Sequence, residues 1–202
     1  MDKLTIPTDK FVIGLTGNIA TGKSAVMQLA AQRGALPLDA DKVVHEILDN
    51  DAGVQKAIAN AFGPTVCLED GRIDRPALGK IVFNNTQALQ QLERIVHPAV
   101  HSTVVKIISE SKATMIMLEA IKLLEGRLHG ICDQIWVTTC SRDRQLERLQ
   151  TYRGMEKETA LSRIDAQAPQ EEKLAQADVI IDTNGSMIET EVQFERAWSQ
   201  LK

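Results

Sequence analysis

The apolar positions of this chain fall into short blocks that alternate with longer, spaced stripes. Phe11-Val-Ile-Gly-Leu15 is an almost unbroken apolar run, the pattern of a strand buried on both faces. A glycine-rich turn follows. Val26, Leu29 and Ala30 then recur at helical spacing, which predicts a helix over Ser24–Arg33 with Gly34 as its stop signal. Leu36–Asp39 reads as a second strand, and Pro37 assigns it to a sheet edge or strand end. From 41 to 110 the pattern is mainly helical. Leu89, Leu92, Ile95, Val96, Val100, Val104, Ile107 and Ile108 trace one stripe, in which Pro98 predicts a kink or break. Runs at Thr114–Leu118, Ile135–Thr139 and Asp178–Asp182 predict three further strands, and an amphipathic helix at Ile188–Leu201 follows them.

Strands separated by helices imply βαβ crossovers, and hence an α/β fold with a five-stranded parallel sheet covered on both faces. Ligands of such sheets bind beyond the carboxyl ends of the strands. Candidate residues stand there: 17–24 after the first strand, Asp39 and Asp41 after the second, Glu119 after the third and Arg142 after the fourth. Two segments interrupt the alternation, a helical insert at about 43–110 and an Arg- and Glu-rich stretch at about 142–176 that reads as a lid. The length of 202 residues suits one domain carrying both.

Gly17-Asn18-Ile19-Ala20-Thr21-Gly22-Lys23-Ser24 satisfies G-x-x-x-x-G-K-[ST], with a strand before it and the Ser24–Arg33 helix after it, so the ATP-binding set runs on to Ala25. The glycines let successive backbone N–H groups turn toward a phosphate, and the helix N-terminus adds partial positive charge. In this motif Lys23 holds the β- and γ-phosphates and Ser24 binds Mg²⁺ through its hydroxyl. The expected fold is therefore the three-layer P-loop NTPase fold. GTPase switches, ATPase motors and small-molecule kinases share the motif. Ile181-Asp-Thr-Asn-Gly185 does not spell the base-reading N-K-x-D of a GTPase, and a motor is usually larger, so a kinase is favoured over a nucleotide-dependent switch.

Composition narrows the partners. A formal net charge of -4, from 23 basic and 27 acidic side chains, argues against broad nucleic-acid or anionic-membrane binding. The apolar runs are strand-sized, far below a membrane span, and residues 1–7 contain no apolar signal-peptide core. Cys67, Cys132 and Cys140 form no C-x-x-C pair and read as apolar residues of a reducing cytoplasm. His97 and His101, one helical turn apart, have the spacing of a metal pair but no evident third ligand. Oligomeric state is not legible in the sequence.

From Gly14-Leu-Thr-Gly17 onward, the order of motifs resembles that of the dephospho-CoA kinases nearly end to end. Leu38-Asp-Ala-Asp41-Lys42 is similar to the family's D-A-D motif. Phe62-Gly63, Asp70-Gly-Arg-Ile-Asp-Arg75, Leu78, Val82-Phe83 and Leu92-Glu-Arg-Ile-Val-His-Pro98 follow in order. Gln145-Leu-Glu-Arg148-Leu149 with Arg153, Arg163-Ile-Asp-Ala-Gln167 and Ala177-Asp178…Ile181-Asp182 complete the series.

The resemblance implies transfer of the ATP γ-phosphate to the ribose 3′-hydroxyl of 3′-dephospho-CoA, with Mg²⁺. The runner-up is a nucleoside or nucleotide kinase on the same scaffold. Asp41 would be the general base and Asp39 a capping or magnesium-shell residue, since either Asp is also a favoured cap for the next helix. Arg148 and Arg153, then Arg142 and Arg163, are the candidates to neutralise phosphate charge, a task suited to a planar guanidinium. Asp39, Arg72, Arg75 and His97 would shape the acceptor side, supported by Phe83 and the apolar stripe; His97 also fits a helix-end histidine bonded to backbone. Glu119 would hold Mg²⁺ through a water. Here the chain departs from the family, reading Glu119-Ala-Ile-Lys122 where an Asp and a Pro are usual, and it carries Asn18 where Gly is common and Thr183 where Asn is common.

Overall fold

Alternation along Phe11–Thr16 (β1) sends Ile13 and Leu15 to one face of the sheet and Val12 and Gly14 to the other, all buried. The computed structural model describes residues 6–83 and 85–201. The N-terminal reading is therefore described only from Ile6, and position 84 of the insert also lies outside the described residues. With Leu36–Asp39 (β2), Met115–Glu119 (β3), Gln134–Thr139 (β4) and Val179–Asp182 (β5), β1 forms a five-stranded sheet in the order β2-β3-β1-β4-β5. The pairings of β1 with β3, β1 with β4 and β4 with β5 are parallel. Pro37 thus lies on an edge strand, where its missing N–H is tolerated.

Backbone contacts divide the described residues into two compact units, one of 7–38 and 111–201, the other of Ile6, 39–83 and 85–110. In the first, helix Lys23–Gln32 (α1) lays Val26, Leu29 and Ala30 on the Ile13 and Leu15 face of the sheet, together with helix Met187–Trp198 (α9). Phe194 and Trp198 of α9 stand against Trp136 with centroids 5.7 and 6.4 Å away. Ser186 starts α9 with a reciprocal capping box to Glu189. The opposite face explains Gly14: a Cβ there would lie 2.6 Å from Leu123 and 2.7 Å from the Cys132 sulfur. That burial, with the Asp133 charge adding to it, pushes the Cys132 thiol up to about 12. Helices Arg142–Arg153 (α6), Lys157–Asp165 (α7) and Gln170–Leu174 (α8) fill the segment read as a lid.

The second unit is helical: Ala40–Asn50 (α2), Ala52–Phe62 (α3), Arg75–Val82 (α4) and Thr86–Glu110 (α5), with α2, α3 and α4 packed on α5. Asp39, Asp51 and Asp74 cap the first three. A kink or break was expected at Pro98; the helix does not end there, and α5 runs continuously through it. Proline costs a helix one hydrogen bond, but Pro98 is exposed, and buried residues on both sides, Val96 before it and Val100, Val104, Val105 and Ile108 after it, hold the helix together. Phe83 was expected to support the acceptor side and instead stands 86% exposed at the end of α4.

Candidate functional site

The loop between β1 and α1 is shaped by three residues with positive φ: Gly17 at 150°, Ala20 at 59° and Gly22 at 90°. At Gly17 there is also no room for a side chain, since a Cβ would lie 2.5 Å from the Thr138 hydroxyl and 2.6 Å from the Thr138 carbonyl oxygen. The loop winds back on itself through Thr21, whose hydroxyl donates to Asn18 O at 2.8 Å. The buried Lys23 ammonium donates to Gly17 O at 3.0 Å and Asn18 O at 3.2 Å, with Glu119 Oε1 at 4.0 Å. The result is a backbone concavity at a helix N-terminus with a cation at its centre, an arrangement that attracts a polyphosphate. Ser24 is exposed in the first turn of α1, its hydroxyl oxygen available to a hard cation.

The rest of the first unit braces this loop. Gln145 Nε2 donates to Ile19 O at 2.7 Å. The Thr183 hydroxyl lies 2.9 Å from Thr21 O and also serves Arg148. Arg148 uses both terminal nitrogens: Nη1 donates to Ala20 O at 3.0 Å and to Thr183 Oγ1 at 2.9 Å, and Nη2 to Thr183 O at 2.6 Å. Its fork therefore ties the loop to the end of β5. Arg142 pairs with Asp165 at 2.7 Å on the exposed side of α6 and α7, while Arg153 and Arg163 are exposed and have no ion pair among the described residues. Arg148→Lys should test which role dominates. Loss of the fork is expected to weaken MgATP about tenfold, because bonds from charged donors are worth about 1.5–3 kcal/mol, with a smaller change in kcat. A fall in kcat at unchanged KM for MgATP would instead place Arg148 on the moving phosphoryl group.

Two cavities adjoin the loop. One, of about 190 Å³, is lined by Gly22, Ala25, Arg144, Arg148, Tyr152 and Thr183 among others. The second, of about 520 Å³, lies on the Asn18 side with Arg142, Gln145, Asp165 and Gln170 in its wall. Sequence reasoning named neither Arg144 nor Tyr152 for a role here; their position in α6, one and three turns along from the capping Ser141, was the available signal.

In the helical unit, the Asp39–Asp41 pair separates by geometry. Asp39 Oδ1 accepts from the N–H groups of Asp41 and Lys42 at 3.0 and 3.2 Å, so Asp39 is the cap. Asp41 stands exposed in the first turn of α2. Arg72 is exposed and bonded to Asp70 at 2.7 Å, which holds the Asp70 carboxyl below its usual range and raises the guanidinium. Arg75 is paired with Asp49. His97 is half-buried within α5, one turn before His101, rather than at a helix end. Among the described residues no three His, Cys, Asp or Glu side chains gather to hold a metal, and no helix is long and apolar enough to cross a membrane.

Comparison with known proteins agrees with this arrangement. Residues 11–189 match the family model described as dephospho-CoA kinase. A dephospho-CoA kinase of Carboxydothermus hydrogenoformans is 40% identical over 185 residues, covering 90% of each chain. A crystal structure of a Thermus thermophilus protein superposes with a TM-score of 0.82 at 29% identity, over 96% of this chain and 98% of that one. The dephospho-CoA kinase of Campylobacter jejuni superposes with a TM-score of 0.60 at 28% identity, again over 96% and 98%. A phosphate-binding loop in this frame, and a match that runs through nearly all of it, make the chain a member of the dephospho-CoA kinase family.

Proposed function

We propose that this protein transfers the γ-phosphoryl group of ATP to the ribose 3′-hydroxyl of 3′-dephospho-CoA, yielding ADP and CoA. The observation that carries the reading is the family match over 11–189, which spans both the phosphate loop and the helical segment. The whole chain then works as one kinase domain, with about 43–110 as the acceptor-side insert and about 142–176 as the lid, acting in the cytoplasm.

Phosphoryl transfer asks the protein for alignment and charge stabilisation rather than covalent chemistry. Loop residues Gly17–Ser24 and the first turn of α1 at Ala25 cradle the triphosphate, and Lys23, seated on the loop carbonyls, turns its remaining donor to the β- and γ-oxygens. The cavity walled by Arg144, Tyr152 and Thr183 is of a size for the base and adjoins the Gly22–Ala25 end of the loop. Arg142, Arg148 and Arg153 supply cationic charge from the lid. Asp41 accepts the 3′-hydroxyl proton as that oxygen forms its bond to the γ-phosphorus and the bond to the β-bridging oxygen breaks. Asp39, Arg72, Arg75 and His97 shape the acceptor side.

The donors present fit Mg²⁺, an oxygen-seeking ion that keeps several waters and takes one or two protein ligands plus phosphate oxygens. Ser24 would bind it directly and Glu119 through a water, and the ion would neutralise charge on the β- and γ-phosphates. An acceptor analogue lacking the ribose 3′-hydroxyl tests the reaction assigned here. It should inhibit competitively against dephospho-CoA and yield no ADP; ADP release with that analogue would assign the transfer to another hydroxyl.

A further inference from the structure

One buried ammonium has no part in the chemistry above. Lys173 is 5% exposed, and its Nζ donates to Asn18 Oδ1 at 2.9 Å. Asn18 is itself buried, and the short segment 168–173 meets its other polar groups. Asn18 Nδ2 donates to Ala168 O at 3.1 Å, and Asn18 N donates to Gln170 Oε1 at 3.0 Å. Gln170 and Lys173 are one turn apart on α8, so both reach the same residue. The ammonium can only donate and the Ala168 carbonyl can only accept, which fixes the orientation of the Asn18 amide. On the other side of that residue, Asn18 O accepts from Thr21 Oγ1 at 2.8 Å and from Lys23 Nζ at 3.2 Å.

A lysine buried against a neutral amide is a poor choice for stability alone, because the desolvation of its charge is not repaid by an ion pair. Burial lowers its pKa, with Glu125 and Glu172 opposing. What the arrangement does achieve is a fixed conformation at Asn18, held at its side-chain amide and its N–H, and Asn18 is the residue whose carbonyl holds the phosphate-binding lysine. We infer that Lys173 is a positioning residue for Lys23, acting through Asn18, so that the α8 segment forms part of the wall of the phosphate loop. The inference rests on the reading of that loop as the MgATP site, and supplies it with a residue 155 positions away in sequence from Asn18.

The test is calorimetric titration of MgADP into the full-length wild type and the variants Lys173→Met, Asn18→Ala and the double. Lys10→Met serves as the fold control, since Lys10 is a half-buried lysine bonded to backbone, at Ser111 O and Ala113 O. Each single substitution at 173 or 18 should raise the Kd for MgADP about tenfold, and the double should bind no more weakly than the weaker single. Lys10→Met should lower Tm and leave Kd unchanged. Wild-type binding by Lys173→Met, even with a lowered Tm, would overturn the inference while leaving the nucleotide reading intact. So would additive losses in the double variant. If Lys173→Met does not fold, an unchanged Kd for Asn18→Ala overturns it equally. No MgADP binding by the wild type would overturn the nucleotide reading and the inference together.

Discussion

Asp41→Asn is expected to bind MgATP as the wild type does and to lose about 10²–10⁴-fold in kcat, the range general-base assistance usually contributes. The substitution keeps the shape of the side chain and a hydrogen-bonding terminus, and removes the negative charge and with it the capacity to take a proton. Asp39 provides the contrast. Its carboxylate is committed to the first turn of α2, accepting from Asp41 N and Lys42 N, with Lys42 Nζ at 3.8 Å. Asp39→Ala should therefore appear chiefly as about 0.5–2 kcal/mol of lost stability, the usual cost of an N-cap. Two carboxylates two residues apart thus predict different readouts, turnover for one and unfolding for the other. An Asp41→Asn enzyme retaining more than about a tenth of wild-type turnover would remove Asp41 from the base role.

The second large effect is expected at Lys23. Lys23→Met preserves an unbranched apolar stem in a buried position and removes the cation that lies on Gly17 O and Asn18 O. Removing one preorganised charge from a phosphoryl-transfer site should lower kcat by about 10²–10³-fold. The two carbonyls left behind lose a donor, so some loss of Tm is expected as well, and circular dichroism at the assay temperature must establish that the variant is folded. Single-turnover rates then isolate the chemical step. A folded Lys23→Met enzyme with near-normal single-turnover rates would show that Lys23 holds the loop rather than the transition state.

Local signals made much of this architecture legible. The apolar block at Phe11–Leu15 and the glycine spacing of 17–24 point to strand, loop and helix together, because pattern, glycine placement and helical stripe agree with one another. The α8–loop network was not legible, since Lys173 and Asn18 are brought together by packing and by no periodicity. Gln167, quoted only as part of a motif, accepts from Ile19 N at 2.6 Å for the same reason. At Pro98 the local rule about backbone donors left a kink and a break both open; that α5 continues through it depends on tertiary contacts on both sides, which no local rule contains. Arg148 was assigned to charge neutralisation by its place in a motif; the sequence contains nothing to say that its fork reaches Ala20 and Thr183. Strand ends differed by at most a single residue, as frayed ends do.

The central claim is that phosphoryl transfer requires dephospho-CoA as the acceptor. It is tested most directly by coupled ADP release from MgATP with 3′-dephospho-CoA, adenosine, uridine or no acceptor, and by identifying the product. The account predicts ADP release that depends on dephospho-CoA, with CoA formed in equal amount. Acceptor-independent hydrolysis, or turnover with a nucleoside alone, would contradict it.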